Sequence, residues 1–480
     1  MLKVSTEKIV GSIDISVNAV VFDSRKIQKN DVFVAQKGVA VDGHFFIEKA
    51  IKLGAVAVVC EVLPVVIKEE ITYVQVEDAN STLAMMASNY FDNPSSHLKL
   101  IGVTGTNGKT TIVSLLWQLF KKAGFKVGLL STVKVIVDAT EFEATHTTPD
   151  SITINQYLRK MVDAGVEYCF MEVSSHGIHQ KRSHGLHFEG GVFTNLTHDH
   201  LDYHTSFADY RDVKKSFFDS LPTSAFALVN VDDKNGAFML QNTKAQQKSY
   251  ALKTMADFRA KVLEKMLSGS LLAIDGIEVW TKLIGVFNAY NLLAIVGVAE
   301  LCGLEKREVL RIVSELESVN GRFQYTISNG GITAVVDYAH TPDALKNVLK
   351  TIVDIRKGTE KISTVVGCGG DRDATKRPKM ALIASQLSDQ VIFTSDNPRT
   401  EDAQFIIDEM EAGVSAEALQ KTLSILDRKQ AIKTACMMSK KGDIILIAGK
   451  GHETYQEING ERFHFDDFEA VTECLTQLNK

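Results

Sequence analysis

Residues 102 to 111 have the types and the spacing best suited to chemistry in this chain, and they read Gly-Val-Thr-Gly-Thr-Asn-Gly-Lys-Thr-Thr. Gly105 and Gly108 allow a tight turn that brings backbone N–H groups close to a ligand. Lys109 adds a full positive charge at the start of a predicted helix, whose N-terminus is itself partly positive. We therefore predict a loop that binds a polyphosphate, with Thr110 placed to hold Mg²⁺ through its hydroxyl group.

A carboxylate follows the buried strand that the sequence predicts over residues 168–171. Glu172 stands at the carboxyl end of that strand, in the same predicted sheet as the phosphate loop, and this place suits a Mg²⁺ ligand. The alternative interpretation is an acid that caps a turn.

The densest polar cluster is the segment 197–204, which reads Thr-His-Asp-His-Leu-Asp-Tyr-His. Its histidines and second aspartate resemble the zinc ligands of metallo-β-lactamase-like hydrolases. Tyr203 separates the last two of them, however, and zinc geometry is strict about ligand placement. We therefore favour one histidine on Mg²⁺, with the others hydrogen-bonded locally. The zinc hypothesis would use His198, His200, Asp202 and His204.

Polar clusters also follow three predicted strands in the last third of the chain. In open α/β sheets, ligands bind beyond the carboxyl ends of the strands, so these clusters predict a second binding site, separate from the phosphate loop. Arg372 and Arg399 present planar guanidinium groups that suit a carboxylate, and Glu453 suits an ammonium group. An amino acid with an extra carboxylate would satisfy all three, and surface salt bridges are the alternative. The clusters cover 367–373, 395–399 and 448–453.

Two further segments have plain structural interpretations. The run Thr-Thr-Pro-Asp predicts that Thr148 caps a helix whose first residue is Pro149, and this leaves Thr147 free to contact a ligand. Lys214 and Lys215 lie in a predicted helix and, on the pattern alone, are solvated lysines.

Strands and helices alternate around these residues, which predicts mostly parallel sheets. Val103 stands where the general phosphate-loop pattern has a glycine, so a plain glycine-rich turn is the alternative there. Arg322 lies in a turn that borders two regions, from which it could swing onto a phosphate.

A nucleotide domain that faces a second small-molecule domain suggests a transferase or ligase that closes around its substrates. We predict an α/β protein of three domains, over 1–96, 97–319 and 320–480.

The composition is that of an ordinary globular protein of 480 residues, with 45% hydrophobic and 23% charged residues. The formal net charge of −6 does not favour a nucleic-acid or anionic-membrane partner. No apolar run approaches the ~20 residues that span a bilayer, and the first residues lack the apolar core of a signal peptide, so we expect a cytoplasmic protein. The six cysteines are scattered without close pairs, which favours reduced thiols over a disulfide or zinc framework.

Taken together, the motifs resemble those of the Mur ligase family, and the resemblance covers essentially the full length. It implies a UDP-binding N-terminal domain, a central ATPase domain and a C-terminal Rossmann-like domain. It also implies an ATP-dependent ligase that adds meso-2,6-diaminopimelate to UDP-N-acetylmuramoyl-L-alanyl-D-glutamate through an acyl phosphate, in peptidoglycan precursor synthesis. ATP and two Mg²⁺ ions would be required, and we expect a monomer. The motifs are Thr-Gly-Thr-Asn-Gly-Lys-Thr-Thr, Glu-Val-Ser-Ser-His, Thr-Asn-Leu-Thr-His-Asp-His-Leu-Asp-Tyr-His, Gly-Val-Phe-Asn-Ala-Tyr-Asn, Asp-Tyr-Ala-His-Thr-Pro-Asp, Gly-Asp-Arg-Asp, Asp-Asn-Pro-Arg and Gly-Lys-Gly-His-Glu.

The resemblance assigns catalytic and nucleotide-binding roles to individual residues. Lys214 aligns with the lysine that family members carry as a carbamate, an anion that can ligate a second Mg²⁺. Because this modification needs a neutral amine, Lys214 should be partly buried or near cations. The implied catalytic residues are Lys109, Glu172, His200 and Lys214, and the implied Mg²⁺ ligands are Thr110, Glu172, His200 and Lys214. The implied ATP-site residues are Gly105, Thr106, Asn107, Gly108, Lys109, Thr110, Thr111, Asn288, Arg322, Asp337 and His340.

The resemblance also implies where the other two substrates bind. Ser24 would contact the UDP end of the nucleotide sugar. The muramoyl peptide would be held by Thr147, Thr148, Ser174, Gln180 and Arg182. The incoming amino acid would be held by Arg372, Asp396, Asn397, Pro398, Arg399, Gly449 and Glu453.

The identity of the added amino acid depends on Arg399. The form Asp-Asn-Pro-Arg resembles the diaminopimelate-adding enzymes, and the arginine is typically absent from lysine-adding relatives because lysine has no second carboxylate. We therefore favour meso-diaminopimelate, with an L-lysine-adding ligase as the alternative. A folylpolyglutamate-synthase-like ligase and a non-catalytic nucleotide-gated binding protein are further hypotheses. Arg372 and the muramoyl set argue against the former, and the intact catalytic set argues against the latter.

Overall fold

The structure, a computed structural model, describes residues 4–38, 41–197, 199 and 203–480. In this part of the chain, sheets of five, eleven and six strands follow one another, and a two-stranded hairpin accompanies the third. The predicted α/β architecture with mostly parallel sheets is confirmed. Within the described ranges, no helix has both the length and the apolar character needed to cross a membrane.

The N-terminal part packs helices against a five-stranded sheet. Its elements are β1 (Lys8–Val10), β2 (Val20–Val21), β3 (Val32–Val34), α1 (Ile47–Lys52), β4 (Ala57–Cys60), β5 (Thr72–Gln75) and α2 (Ala79–Tyr90). The strand order is β1-β5-β4-β3-β2, with only the β1–β5 pair antiparallel. Apolar clusters cover both faces of this sheet, since its short strands are buried on both sides.

The central part contains the largest sheet. Its elements are β6 (Lys99–Thr104), α3 (Lys109–Lys122), β7 (Val127–Leu130), β8 (Lys134–Val137), β9 (Thr140–Glu143), α4 (Ser151–Asp163), β10 (Tyr168–Glu172), α5 (Ser175–His179), β11 (Gly190–Phe193), α6 (Phe207–Asp219), β12 (Phe226–Asn230), α7 (Gly236–Met239), β13 (Gln246–Ala251), β14 (Phe258–Met266), β15 (Gly269–Ile274), β16 (Ile277–Thr281), α8 (Val286–Leu301) and α9 (Lys306–Val313). The order is β16-β15-β14-β13-β12-β11-β6-β10-β7-β8-β9.

The middle of this sheet positions the predicted phosphate loop. Strand β6 lies between β10 and β11 and pairs with both in parallel. The carboxyl ends of the three strands therefore meet at one edge, where the phosphate loop, Glu172 and the segment after Phe193 emerge side by side. Buried apolar residues of α3 and α8 cover one face of the sheet, which fixes the loop between strand and helix.

The C-terminal part repeats this arrangement on a smaller scale. Its elements are β17 (Gln324–Ile327), β18 (Thr333–Asp337), α10 (Pro342–Ile355), β19 (Ile362–Val366), α11 (Lys376–Leu387), β20 (Gln390–Phe393), α12 (Ala403–Glu411), β21 (Thr422–Ser424), α13 (Arg428–Met438), β22 (Ile444–Ala448), β23 (Tyr455–Ile458), β24 (Glu461–His464) and α14 (Asp467–Gln477). The order β17-β18-β22-β19-β20-β21 is parallel except at β17. All three predicted polar clusters therefore lie at one edge of the sheet.

Two local predictions were wrong. Helix α4 begins at Ser151 and is capped by Asp150, whose carboxylate accepts from the Thr153 N–H at 3.0 Å. Thr148 is not the cap, because its hydroxyl donates to the Glu172 carbonyl at 2.8 Å instead.

The second error concerns Lys214 and Lys215, which are not solvated. They are 1% and 6% exposed, because this face of α6 packs against the sheet and α5. Lys215 pairs with Asp219 at 2.7 Å. The local sequence pattern shows that these two residues are charged, but it does not show which face of the helix is covered.

Candidate functional site

One cavity of about 1470 Å³ lies between the central and C-terminal parts. We predicted that the second site would be separate from the phosphate loop, but both border this cavity. A ligand on the loop and a ligand on the C-terminal sheet edge would therefore share one open cavity. The predicted residues that line it are Lys109, Thr147, Thr148, Ser174, Arg182, His340, Arg372, Asp396, Asn397, Arg399, Gly449 and Glu453.

The phosphate loop has the strained, close-packed backbone that its glycines allow. Gly105 has φ +143°, and a Cβ there would lie 1.9 Å from Thr194 Oγ1. Gly108 has φ +90° and immediately precedes α3. The first N–H groups of a helix have no intrahelical acceptor, so this turn presents donors to an anion.

Asparagines hold the loop in place. The Asn107 N–H donates to Asn195 Oδ1 at 3.0 Å, and the Asn195 amide donates back to the Asn107 carbonyl at 3.1 Å. Thr194 Oγ1 also donates to the Asn107 carbonyl, at 2.6 Å. On the other side, Asn291 Oδ1 is 2.7 Å from the position of a Cβ on Gly108. Asn291 in turn donates to Asn288, which is itself buried.

Lys109 projects from the start of α3 into the cavity wall. Its Nζ donates to the Gly105 carbonyl at 3.0 Å and to the Thr106 carbonyl at 2.7 Å. Burial lowers the pKa of Lys109, and the nearby Glu172 and Asp199 oppose that effect. A lysine so placed is a charge partner for a polyphosphate.

Glu172 and Thr110 offer oxygen ligands for a divalent cation. Glu172 is fully buried, and its Oε1 accepts from the Thr132 N–H at 2.7 Å. Its Oε2 is buried without a hydrogen-bond partner. Burial of an unpartnered carboxylate oxygen costs free energy unless a cation binds to it. Thr110 Oγ1 accepts from Arg322 at 3.1 Å. The donor set therefore fits the hard oxygen ligands of Mg²⁺.

The prediction for His200 lies outside the described residues, as do His198 and Asp202 of the zinc hypothesis. Among the described residues, no group of three or more histidines, cysteines or acids is arranged to hold a metal. His204 is buried with its Nδ1 3.4 Å from Asp209 Oδ2, but neither of its ring nitrogens has a hydrogen-bond partner among the described residues, so the predicted local hydrogen bonding is not observed for this histidine.

Lys214 is buried beside the phosphate loop. Its Nζ donates to the Gly105 carbonyl at 2.9 Å and lies 4.8 Å from the centre of the Tyr210 ring. Burial lowers the pKa of Lys214 well below its ordinary value, and the charge of Lys109 acts in the same direction. The expectation that Lys214 is buried and close to a cation is confirmed. A neutral amine in this place can react with CO₂.

The C-terminal part supplies Arg322, Asp337 and His340 to the nucleotide side. Arg322 stacks on the Tyr338 ring at 4.5 Å while it reaches Thr110 across the two parts. Burial raises the pKa of Asp337 to about 6, and its Oδ2 accepts from the Phe323 N–H at 2.6 Å. Burial also lowers the pKa of His340 to about 4, so its imidazole is neutral near pH 7.

Four of the five predicted muramoyl-peptide residues form one hydrogen-bonded group, and Thr147 forms its bond outside that group. Arg182 donates to Gln180 Oε1 at 2.7 Å and to the Thr148 carbonyl at 2.6 Å. Ser174 caps α5 and its N–H donates to the Thr148 hydroxyl at 3.0 Å. Thr147 accepts from Thr132 at 3.0 Å.

Ser24 lies away from this group. It is buried at the start of a short 3₁₀ turn in the N-terminal part and does not line the cavity. Its predicted contact with a UDP end stays a prediction.

The predicted amino-acid side of the cavity contains two carboxylates that both accept from Asn397. Asp396 Oδ1 accepts from the Asn397 N–H at 2.7 Å, and Glu453 Oε2 accepts from the Asn397 amide at 2.8 Å. Gly449 has φ +117°, and a Cβ there would lie 2.5 Å from Asp396 Oδ2. Glycine is therefore needed for the carboxylate to occupy its place.

Arg399 has an unusual backbone conformation for a non-glycine residue, with φ +53°. Its N–H donates to the Glu457 carbonyl at 3.1 Å, and its carbonyl accepts from Asn459 at 2.7 Å. Its guanidinium donates to the Gly370 carbonyl at 2.6 Å. Strain of this kind collects at functional sites, where it aims a side chain. Arg372 is exposed on the same cavity, and Pro398 is buried between the loops.

Sequence reasoning missed several residues that hold the site together. Asn195 lay inside a quoted motif, but nothing marked it as the support of the phosphate loop. Arg428 and Lys450 form buried contacts beneath the amino-acid site, and Lys450 stands inside the Gly-Lys-Gly-His-Glu motif. A buried cation beside an acidic loop has no local sequence pattern that would identify it.

Three family profiles match successive parts of the chain, and all three describe Mur ligase domains. The profile of the Mur ligase middle domain matches residues 103–299, and that of the Mur ligase glutamate ligase domain matches 321–451. The profile described as Mur ligase family, catalytic domain, matches residues 16–91.

Several curated relatives are identical to this chain at about half of the aligned positions. The UDP-N-acetylmuramoyl-L-alanyl-D-glutamate–2,6-diaminopimelate ligase of Cytophaga hutchinsonii is 55% identical over 100% of this chain and 98% of its own length. The protein of the same name from Parabacteroides distasonis is 52% identical over 98% and 96%. A solved structure of an enzyme of that name is 32% identical, covers 98% of both chains and has a TM-score of 0.70.

Solved structures at lower identity share the fold alone. A folylpolyglutamate synthase of Mycobacterium tuberculosis is 16% identical with a TM-score of 0.63, over 77% of this chain and 92% of its own.

Proposed function

The chain belongs to the Mur ligase family, and we propose that it is the ATP-dependent ligase that adds meso-2,6-diaminopimelate to UDP-N-acetylmuramoyl-L-alanyl-D-glutamate. One observation carries this proposal. Lys109 of the predicted phosphate loop lines the same cavity as Arg372, Arg399 and Glu453. A phosphate-binding group and a site for a charged amino acid thus share one space, as an amide-forming ligase requires.

The chemistry explains why both sites are needed. A carboxylate resists attack by an amine, because its leaving group would be an oxide ion. Transfer of a phosphoryl group from ATP to the peptide carboxylate gives an acyl phosphate, whose leaving group is phosphate. The amine then attacks, the C–O bond to phosphate breaks, and the amine proton leaves to solvent or a base. Catalysis is mostly positioning and neutralisation of charge.

The residues of the chain supply that positioning. Arg182, tied to Gln180 and to the Thr148 carbonyl, would orient the muramoyl peptide with its carboxylate toward the phosphate loop. Arg399 and Arg372 would pair with the second carboxylate of diaminopimelate, while Asp396 and Glu453 would accept from an ammonium group. L-Lysine lacks the carboxylate that would pair with the arginines.

Glu172 and Thr110 would hold Mg²⁺, which would neutralise the charge of the phosphates when bound. A second ion would use Lys214 after its neutral amine has combined with CO₂, to give a carbamate and a proton. This modification would be visible as a carbamate resonance after exposure to ¹³C-labelled CO₂, with the Lys214→Met variant as the control. Failure to label the wild-type protein would remove the carbamate from the proposal.

We also propose how the chain is divided into domains, its oligomeric state and its location. The boundaries near residues 96 and 320 would separate a UDP-binding, an ATP-binding and an amino-acid-binding domain. The enzyme would act as a monomer in the cytoplasm, where its ATP is made. Light scattering of the purified protein would test the monomer.

The deciding experiment measures phosphate release with ATP, Mg²⁺ and UDP-N-acetylmuramoyl-L-alanyl-D-glutamate, with meso-diaminopimelate or L-lysine as the acceptor. We expect release with diaminopimelate and little with lysine. Release only with lysine would keep the family and overturn the role of Arg399. Release with neither would overturn the proposed activity.

A further inference from the structure

Two cations lie beneath the amino-acid site with fully buried side chains, Arg428 and Lys450. The charge of Arg428 is balanced mainly by Asp467, although its Nη1 also lies 3.9 Å from Asp396 Oδ2. Its guanidinium forms a bidentate pair with the buried Asp467, at 2.7 and 2.8 Å. It also donates to the carbonyls of Ser395 and Ala448, at 3.3 and 3.1 Å, and so ties together the ends of two loops.

Among the residues that the structure describes, Lys450 forms an ion pair with Glu453 alone, and Glu453 belongs to the site itself. Its Nζ donates to Asn397 Oδ1 at 3.0 Å and to Glu453 Oε2 at 3.1 Å, and it lies 5.5 Å from the centre of the Tyr455 ring. The Asn397 amide donates to the same Glu453 oxygen at 2.8 Å. These donors hold Glu453 by Oε2, and they fix the direction in which its carboxylate faces the cavity.

A charge count follows from these contacts. Asp396 and Glu453 together bring two negative charges, and the Arg428–Asp467 pair is neutral as a unit. Lys450 is the remaining buried cation beside them, so the three groups together leave one net negative charge. A single ammonium group of an incoming amino acid would balance it.

We propose that Lys450 is a positioning residue that sets the charge of the amino-acid site: its ammonium offsets one carboxylate and orients Glu453, so that the site accepts one substrate ammonium group. This role rests on the proposed function and deepens it, since it concerns how the same site selects its amino acid.

The electrostatics of the neighbouring groups agree with this role. Burial and the charge of Asp396 raise the pKa of Glu453, while Lys450 lowers it. Burial alone would raise the pKa of Asp396 as well, but Lys450 and Arg428 hold it below its ordinary value. The other titratable groups that act on or respond to Glu453 are Arg428, Tyr338 and Tyr455.

Removal of the Lys450 charge should therefore leave two buried carboxylates close together, and one of them should bind a proton at neutral pH. A protonated Glu453 is a poorer acceptor for a substrate ammonium group. Binding of diaminopimelate should weaken and should recover as the pH rises.

The test compares Lys450→Met, which keeps the length of the side chain, with Lys429→Met, whose lysine is 57% exposed on α13. Steady-state KM for diaminopimelate, ATP and the nucleotide sugar is measured between pH 6 and pH 9. For Lys450→Met we expect KM for diaminopimelate to rise about tenfold at pH 7, as for a group whose pKa moves by about one unit. The other two KM values should stay within about twofold.

The pH profile separates a charge role from a packing role. In Lys450→Met the rise of KM toward low pH should begin at least about one pH unit higher than in the wild type. An elevated KM with the wild-type pH profile, or an unchanged KM, would overturn the proposal. Lys450→Gln, which can still donate to Asn397 without a charge, should behave like Lys450→Met, and failure of both variants to fold would also overturn it.

The wild-type protein distinguishes this role from the function on which it rests. If the wild type uses no diaminopimelate, the proposed function fails and the role of Lys450 fails with it. If the wild type uses diaminopimelate and the Lys450 variants match it, the role of Lys450 alone is wrong.

Discussion

The two walls of the cavity present their charged and polar groups in different ways. The phosphate wall comes from one continuous stretch, in which glycine turns and a helix N-terminus present backbone donors and Lys109 adds the charge. The amino-acid wall comes from three loops that are far apart in the chain, and it relies on side chains whose charges are balanced by buried partners.

This difference predicts how each wall fails. Backbone donors are fixed once strand β6 and helix α3 are packed, so a single side chain on that wall affects the chemistry more than the geometry. The amino-acid wall depends on each contact between loops, so a change there should weaken one substrate while the other two still bind. Mutations can therefore separate the walls by their effects on kcat and on KM.

The largest effect is expected for Lys109→Ala. Loss of a preorganised positive donor to transferring phosphate should lower kcat by at least about 10³-fold. The measurement is phosphate release at saturating substrates. Lys122→Ala, whose lysine is 42% exposed on the same helix, is the matched control. Near-normal turnover of Lys109→Ala would show that the phosphate wall lies elsewhere.

Arg399→Ala should weaken the other wall. Loss of one partner of a buried charge pair costs about 2–5 kcal/mol, which should appear in kcat/KM for diaminopimelate and not in KM for ATP. Arg356→Ala, on the surface of the C-terminal part, serves as the control. If diaminopimelate kinetics barely change, the carboxylate clamp does not involve Arg399.

Asp337→Asn changes a buried carboxylate at the end of β18. Burial raises its pKa from 3.8 to about 6, so the folded state favours the protonated form. Its contribution to the free energy of unfolding is fully present below about pH 4. That contribution falls by about 3 kcal/mol as the pH rises through about 6. The variant should therefore melt at a higher temperature than the wild type at pH 8 and not at pH 4.

Asparagine can still accept from the Phe323 N–H, so packing is kept in this variant. Asp163→Asn, which changes an exposed aspartate on α4, is the matched control. An equal change in melting temperature at both pH values would argue against a raised pKa.

A smaller effect, confined to the amino-acid wall, is expected for Gly449→Ala. The added methyl group would meet Asp396 Oδ2, and the left-handed backbone adds about 1–3 kcal/mol of strain. KM for diaminopimelate should rise while KM for ATP is unchanged. Gly358→Ala has nearly the same φ, +118°, with open space around it, so it controls for strain alone. Equal kinetics of the two variants would mean that the Asp396 contact is unimportant.

Much of the fold could be predicted because strands and helices alternate with clear apolar periods. The buried strand predicted over 168–171 lies within β10, and the helix predicted to start at Lys109 is α3. The antiparallel extensions β8–β9 and β14–β16 were not predicted, since their sequences are short and partly polar. Hairpins at a sheet edge carry little periodic signal.

Local sequence patterns were enough to predict a glycine turn with a lysine at a helix start and polar clusters at three strand ends, because those features depend on neighbours in the chain. The packing of distant segments showed that both predicted sites share one cavity and that Thr148 supports Glu172 instead of capping α4. It also buried Lys214, and it placed Lys450 and Arg428 under the amino-acid site. Burial and charge balance arise when distant segments pack together, so they depend on neighbours that no local pattern names.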